Sequence, residues 1–150
     1  MAKYADGVNY AKTLDPSSSN IIDPGLVGGK VRVMQDTYTF GASSLNSTDY
    51  IVVGGKLPTG SQVVRVVISM GSPAVAATAI TAVGDEGDAD RYITSTAITA
   101  NAVVVGPNVS TGMYYTVTGV TDNYIRVAGA TTAAVLSGAI VKISVFYVVE

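Results

Sequence analysis

The sequence predicts an all-β fold of the sandwich or barrel type, preceded by an irregular N-terminal arm. Val occurs 24 times and Thr 16 times in 150 residues, against five Leu, and β-branched side chains fit a pleated, half-buried surface better than a helix. No stretch of helical length keeps an i, i+3, i+4, i+7 apolar pattern without Gly or a β-branched run. We therefore expect at most a turn or two of helix.

Short apolar segments recur between turn-forming residues along residues 30–150. Gly54-Gly55, Pro58-Thr59-Gly60 and Gly106-Pro107-Asn108 are examples of these turn signals. Eight or nine short strands at such spacing are typical of a sandwich or a barrel. The predicted strands are residues 30–40, 49–53, 61–70, 76–83, 91–95, 98–105, 113–119, 124–128 and 139–149.

Alternation predicts which side chains share a face in two of these strands. In the last strand, the second half is apolar on both faces, so it should lie inside a sheet or an interface. In strand 61–70, Arg65 falls on a largely apolar face and should either reach solvent or pair with a carboxylate. The predicted faces of that strand are Val64, Val66, Ile68 and Met70 against Val63, Arg65, Val67 and Ser69.

The first 29 residues differ in kind from the rest. Leu14-Asp15-Pro16, Asp23-Pro24-Gly25 and Gly28-Gly29 interrupt them, and no β alternation is present. Their apolar side chains nevertheless require burial, so this segment is not a disordered tail by composition. We divide the chain into an arm, residues 1–29, and a single β-sandwich domain, residues 30–150.

Composition excludes most catalytic and binding chemistry. The chain has no Cys and no His, which removes thiolate nucleophiles, the usual zinc ligands and the commonest general base. Its formal net charge is -2, so it lacks the basic field that nucleic-acid binding requires. We expect no catalytic residue, no cofactor, no metal and no nucleic-acid partner.

A membrane-spanning segment is also not expected. Residues 92–121 contain no charged side chain, but Thr, Ser, Asn, Gly and Pro107 interrupt them at short intervals. A spanning helix needs about 20 predominantly apolar residues. The first 16 residues contain no apolar region of the kind found in secretory signals.

One cluster of carboxylates could supply ligands for a metal ion. Asp85, Glu86, Asp88 and Asp90 lie within six residues, and carboxylate oxygens are the ligands of calcium. The spacing does not fit an EF-hand loop, so a solvated hairpin turn is the favoured interpretation and a calcium or packing role is the alternative. Tyr114 and Tyr115 are expected to point to opposite faces of a strand.

The surface is expected to contact other proteins. Only 13% of the residues are charged, about half the usual share. A soluble monomer normally carries more surface charge, so a charge-poor surface favours protein neighbours.

Several short motifs together resemble a known family. They are Asn20 to Gly25, Gly28 to Tyr38, Gly55 to Gly60, Val83 to Asp85 and Asp88 to Ile93. With the Tyr- and Asn-containing N-terminal lead, they resemble the accessory proteins, also called cement or decoration proteins, of tailed-bacteriophage heads.

That resemblance implies a jelly-roll-like β-sandwich that assembles as homotrimers. It also implies a structural protein of the virion, assembled in the host cytoplasm, that binds the capsid surface and stabilises contacts between major capsid subunits. No catalytic residue is implied. From its apolar side chains we expect the arm to be a main capsid-binding element, and the alternative is that it packs along its own sandwich and completes the core. The expected capsid-binding side chains are Tyr4, Val8, Tyr10, Leu14, Ile21 and Ile22.

Two alternatives remain open at this point. A phage fibre, tail or receptor-binding component would have a similar composition. A small β-barrel enzyme or ligand carrier would belong to a different functional class.

Overall fold

The computed structural model describes residues 30–40, 50–71, 80–94, 101–129 and 138–149. A 3₁₀ turn at Ser110–Gly112 and seven β-strands form within them. Within these described residues, no helix has the length and apolar character needed to cross a membrane. The strands are β1 (Val31–Thr39), β2 (Tyr50–Val53), β3 (Ser61–Met70), β4 (Ile80–Gly84), β5 (Val103–Gly106), β6 (Ile125–Gly129) and β7 (Ile140–Val149).

The strands form two antiparallel sheets around one core. The four-stranded sheet has the order β1-β7-β3-β5, and the three-stranded sheet has the order β2-β6-β4. Side chains from both sheets join one buried cluster, including Val66, Val127 and Val145 at 0% exposure. The predicted all-β, single-domain sandwich is therefore confirmed. The jelly-roll connectivity stays a prediction, because residues 41–49, 72–79, 95–100 and 130–137 lie outside the described residues.

The last strand lies inside the four-stranded sheet, as its apolar second half predicts. β7 pairs with β1 on one side, where Val33 faces Phe146, and with β3 on the other, where Val66 faces Val145. Val141 and Val145 are fully buried. On the opposite face of the strand, Phe146 and Val148 are half-buried, so the neighbouring strands on both sides cover these apolar side chains only in part.

A β-bulge in β3 overturns part of the predicted face assignment. Val63 faces Tyr147 and Arg65 faces Phe146, so Val64 is an extra residue opposite the same stretch of β7. The bulge buries Val63 at 0% exposure and leaves Val64 39% exposed. Placing Val64 on the same face as Val66, and Val63 on the opposite face, was wrong, because a bulge shifts the alternation by one residue. Arg65 is exposed, as predicted.

Two predicted strands are not strands. In 91–95, Ile93 makes a single bridge to Val83, and in 113–119, Thr116 makes a single bridge to Gln62. The 3₁₀ turn just precedes the second segment, and Tyr114 has a φ of 60°. A positive φ interrupts an extended chain. Residues 76–79 and 98–100 of two other predicted strands lie outside the described residues.

The bulge predicts different costs for two adjacent truncations. Val63→Ala should lower the free energy of unfolding by about 2 kcal/mol, because it removes two buried carbons and leaves a cavity. Val64→Ala should change it by less than about 0.5 kcal/mol, as expected for an exposed site. Urea denaturation of both variants measures the difference, and equal costs would contradict the bulge.

Candidate interaction surface

The acidic loop between β4 and Ile93 is organised by one buried carboxylate. Asp85 is 1% exposed, and its Oδ1 accepts hydrogen bonds from the backbone N–H groups of Gly87 and Asp88, both at 2.9 Å. Arg91 donates to both carboxylate oxygens, from Nε and, at 3.2 Å, from Nη2. The solvated-turn interpretation is therefore wrong for Asp85, whose negative charge is neutralised inside the protein.

The remaining carboxylates of this loop have different surroundings: Asp88 Oδ2 lies 4.0 Å from Arg91 Nη1, whereas Glu86 and Asp90 have other partners. Glu86 lies 3.1 Å from Arg126 Nη2, and Asp90 accepts a hydrogen bond from the Thr94 hydroxyl at 2.5 Å. No three acidic side chains of the described residues converge to hold a metal ion. The cluster that prompted the calcium hypothesis is dispersed by the fold.

Arg91 also connects this loop to the segment that precedes β6. Its guanidinium lies 3.8 Å from the centre of the Tyr115 ring, a cation–π contact. The Tyr115 hydroxyl donates to Asp122 Oδ2 at 2.6 Å. Asp122 is 1% exposed and accepts the backbone N–H groups of Thr118 and Gly119, each at 2.7 Å. We call Asp85, Arg91, Tyr115 and Asp122 the polar network.

Two members of the polar network, Tyr115 and Asp122, have pKa values shifted away from neutral pH. Burial raises the pKa of Tyr115 to about 12, and its hydrogen bond to Asp122 acts in the same direction. Burial also opposes the charge on Asp122, but hydrogen bonds from Tyr115, Thr118 and Gly119 outweigh it and hold its pKa well below the usual range. Neither group is poised to exchange a proton at neutral pH, so the network is suited to holding loops together rather than to acid–base catalysis.

Two glycines permit the close packing of these loops. A side chain at Gly84 would collide with the backbone of Asp88 and Ala89, and one at Gly119, where φ is +86°, would collide with Thr59. Sequence reasoning missed Asp122. The available signal was its position three residues after Gly119, in a turn where a carboxylate can accept backbone N–H groups.

A shallow groove of about 270 Å³ lies at the edge of the four-stranded sheet. Tyr114 on its rim is 69% exposed and Met113 is 56% exposed, whereas Tyr115 is half-buried in the polar network. The two tyrosines therefore differ in exposure, but on a turn rather than on the predicted strand. The groove is lined by Val64, Arg65, Val105, Gly106, Pro107, Met113 and Tyr114.

The groove continues onto the side of the four-stranded sheet that faces away from the core. Cross-strand partners share a face of a sheet, so the pairings Val33 to Phe146, Phe146 to Arg65, and Val67 to Val105 place these side chains together. We call this surface the outer face. Its members with large apolar or charged side chains are Val31, Val33, Arg65, Val67, Val103, Val105, Ile140, Lys142, Phe146 and Val148.

Much of this apolar surface is accessible. Val31 is 57% exposed, Val33 49%, Val103 64% and Val105 47%. Scattered exposed apolar residues are normal, but a contiguous patch of them marks an interaction site. The sequence-predicted site residues Tyr4, Val8, Tyr10, Leu14, Ile21 and Ile22 lie outside the described residues.

Comparisons with known proteins identify similar folds in phage capsids. Neither a protein-family model nor a curated protein matches this sequence. The structure is similar to a chain of the cyanophage Pam1 capsid asymmetric unit, with a TM-score of 0.62 and 25% identity, covering 82% of this chain and 87% of that one.

Two further capsid structures contain similar chains. One is the capsid of Ralstonia phage GP4, with a TM-score of 0.56 and 20% identity over 81% of this chain and 86% of that chain. The other is the acid-stable capsid of Helicobacter pylori bacteriophage KHP30, with a TM-score of 0.51 and 15% identity over 79% and 87%. At these identities the last two show a shared fold alone. Together the comparisons support a phage capsid-related structural protein.

Two carboxylates of the acidic loop should differ sharply in their contribution to stability. Asp85→Asn should lower the free energy of unfolding by about 2 to 4 kcal/mol, because it leaves Arg91 without its buried counter-charge. Glu86→Gln, which removes the exposed ion pair with Arg126, is the matched control and should cost less than about 1 kcal/mol. Chemical denaturation at pH 7 checks both values. Similar costs would refute the organising role of Asp85.

The low pKa of Asp122 predicts a specific loss of stability in acid. A carboxyl group whose pKa is lower in the folded state stabilises the protein above its unfolded pKa, about 3.9. This contribution is lost as the pH falls through the folded pKa. The stability difference between wild type and Asp122→Asn should therefore be constant above about pH 5 and narrow below about pH 4. Denaturation curves from pH 2 to 7 measure it, and a pH-independent difference would contradict the prediction.

Proposed function

We propose that this protein is a structural component of a phage virion that binds the outside of the head and stabilises contacts between major capsid subunits. The observation that carries the proposal is the similarity to a chain of the Pam1 capsid asymmetric unit, which extends over more than four fifths of both chains. The accessory role itself follows from the resemblance of the sequence motifs to cement and decoration proteins.

The chemistry of the described residues agrees with a non-enzymatic role. The two buried carboxylates, Asp85 and Asp122, are both saturated with hydrogen bonds from the protein itself. The groove beside Tyr114 is lined mostly by apolar side chains and contains one charged residue, Arg65. Such a surface is suited to protein contact more than to bond-breaking chemistry.

A homotrimer is the proposed assembly. Closed symmetry covers apolar surface without open-ended growth, and this chain leaves large apolar side chains exposed outside the outer face, for example Val120 and Tyr124. The preference for three copies comes from the family resemblance, in which trimers sit on the capsid lattice. Major capsid subunits and further copies of this chain are thus the proposed partners.

The N-terminal arm, residues 1–29, is the proposed strap to neighbouring capsid subunits. Fully extended, 29 residues span roughly 100 Å. The apolar side chains from Tyr4 to Ile22 come at irregular spacings, which fits separate pockets better than one continuous strand or helix face. Each buried anchor contributes roughly 1.5 to 3 kcal/mol before ordering costs, and three linked chains multiply the effect through avidity.

Deletion of residues 2–22 tests the strap. The expected product is a folded, soluble trimer that no longer binds or stabilises capsid shells of the phage that encodes this chain. Co-sedimentation with shells lacking the protein measures binding, and circular dichroism with light scattering checks folding and assembly. A truncated protein that binds at full occupancy would refute the strap, and an unfolded product would place the arm in the sandwich itself.

Location in the virion separates the proposal from its alternative. Labelled protein in imaged virions should lie over the head at high copy number. Labelling confined to the tail or fibres would favour a tail, fibre or receptor-binding component instead.

A further inference from the structure

The charged side chains of the outer face that the structure describes are positive. Arg65 and Lys142 are its charged residues in the described part of the chain, and no Asp or Glu there shares the face. The ion pairs of the described residues involve Arg91 and Arg126, so neither Arg65 nor Lys142 has a carboxylate partner among them. Arg65 lies over the Phe146 ring, 5.8 Å from its centre, which positions its charge beside apolar surface.

The exposed surface of the three-stranded sheet is different. Tyr50 and Val52 are 50% and 49% exposed there, but the adjacent Arg126 lies 4.2 Å from the Tyr50 ring centre and pairs with Glu86 at 3.1 Å. The positive charge beside the exposed apolar residues is thus already compensated within the chain. The two sheets thus expose similar apolar side chains. Among the described residues, the positive charge beside them is paired with a carboxylate on the three-stranded sheet and unpaired on the outer face.

From this contrast we infer that the outer face is the docking surface for a partner protein whose own surface is apolar and carries a carboxylate. The valines of the face would meet apolar side chains, and Arg65 or Lys142 would meet the acidic group. The inference rests on the proposed function for the partner's identity, which is then a capsid subunit. It names the surface of the sandwich that makes the contact, separately from the arm.

Charge complementarity argues against a second copy related by two-fold symmetry as the occupant. In such a contact the same surface patch meets itself. Arg65 and Lys142 of one copy would face the same residues of the other, with no acidic residue of the described face between them. Like charges brought together in an interface are costly, so a partner with the opposite charge is favoured.

The groove supplies a place for a projecting side chain of the partner. It adjoins the outer face, because Arg65 and Val105 belong to both. Tyr114 on its rim has a φ of 60° and is 69% exposed. Exposed aromatic side chains beside a pocket are the kind of residue that contributes most to protein interfaces.

The size of the outer face indicates how strongly one copy would bind its partner. Four strands about 4.8 Å apart and up to about 30 Å long give roughly 500 Å². A stable interface buries about 800 Å² on each partner. One copy would therefore dissociate readily, and firm attachment would depend on several linked copies or on the arm.

A matched pair of substitutions tests the inference. Val105 in β5 and Val52 in β2 are 47% and 49% exposed, and each is the third residue of a four-residue edge strand. Val105→Glu should weaken binding to capsid shells by about tenfold or more, because it buries a charge facing the partner's carboxylate. Val52→Glu should change binding by less than about twofold, and circular dichroism should show both variants folded.

A charge series tests the electrostatic part independently. Arg65→Glu should weaken shell binding, and Arg65→Lys should retain most of it. Lys56→Glu, an exposed change in the loop between β2 and β3, is the control and should bind like wild type. Equal effects of Arg65→Glu and Lys56→Glu would overturn the proposed charge pairing.

The outcomes distinguish a failure of this inference from a failure of the proposed function. If the wild type does not bind shells, the proposed function fails and the inference fails with it. If wild type and Val105→Glu bind equally, the inference alone is overturned. If Val105→Glu instead dissociates the oligomer, the occupant is another copy of this chain. If Val105→Glu lowers the free energy of unfolding of the full-length protein but not of the protein lacking residues 2–22, the occupant is the arm. Both of these results also overturn the inference.

Discussion

The pairing of β7 with β1 and β3 is the constraint on which the rest of the sandwich depends. β7 is close to the end of the chain, yet it occupies an interior position of the four-stranded sheet and contributes Val141, Ile143 and Val145 to the core. The sheet therefore joins segments more than 70 residues apart. Non-local pairing of this kind has a high entropic cost of loop closure, which burial of an almost wholly apolar strand offsets.

The bulge in β3 determines which side chains of this strand face the core and which face the surface. Because Val64 is inserted opposite β7, Val63 and Val66 both reach the core while Val64 and Arg65 face outward. Val64 and Arg65 then line the groove with Val105 and Tyr114. One extra residue thus sets both the packing of the core and the edge of the surface proposed for docking.

The polar network performs a different task. Asp85 and Asp122 each accept backbone N–H groups and are joined through Arg91 and Tyr115. Buried charges are tolerated because every one is paired or hydrogen-bonded. The network holds the loop after β4 against the segment before β6. It keeps the charges of Asp85 and Asp122 inside the protein.

The sequence by itself determined the fold class and the interior place of the last strand, because these follow from residue type and two-residue alternation. It did not determine the register at Val64, since a bulge leaves no local signal in a run of valines. It also did not reveal that Asp85 is buried or that Asp122 matters. Each carboxylate bonds a partner only a few residues away, but the two pairs are brought together by the tertiary fold, where Arg91 lies over the Tyr115 ring. The positive charge of the outer face likewise depends on which strands are neighbours. Arg65 and Lys142 are 77 residues apart in the chain, and only the pairing of β3 with β7 places them on one surface.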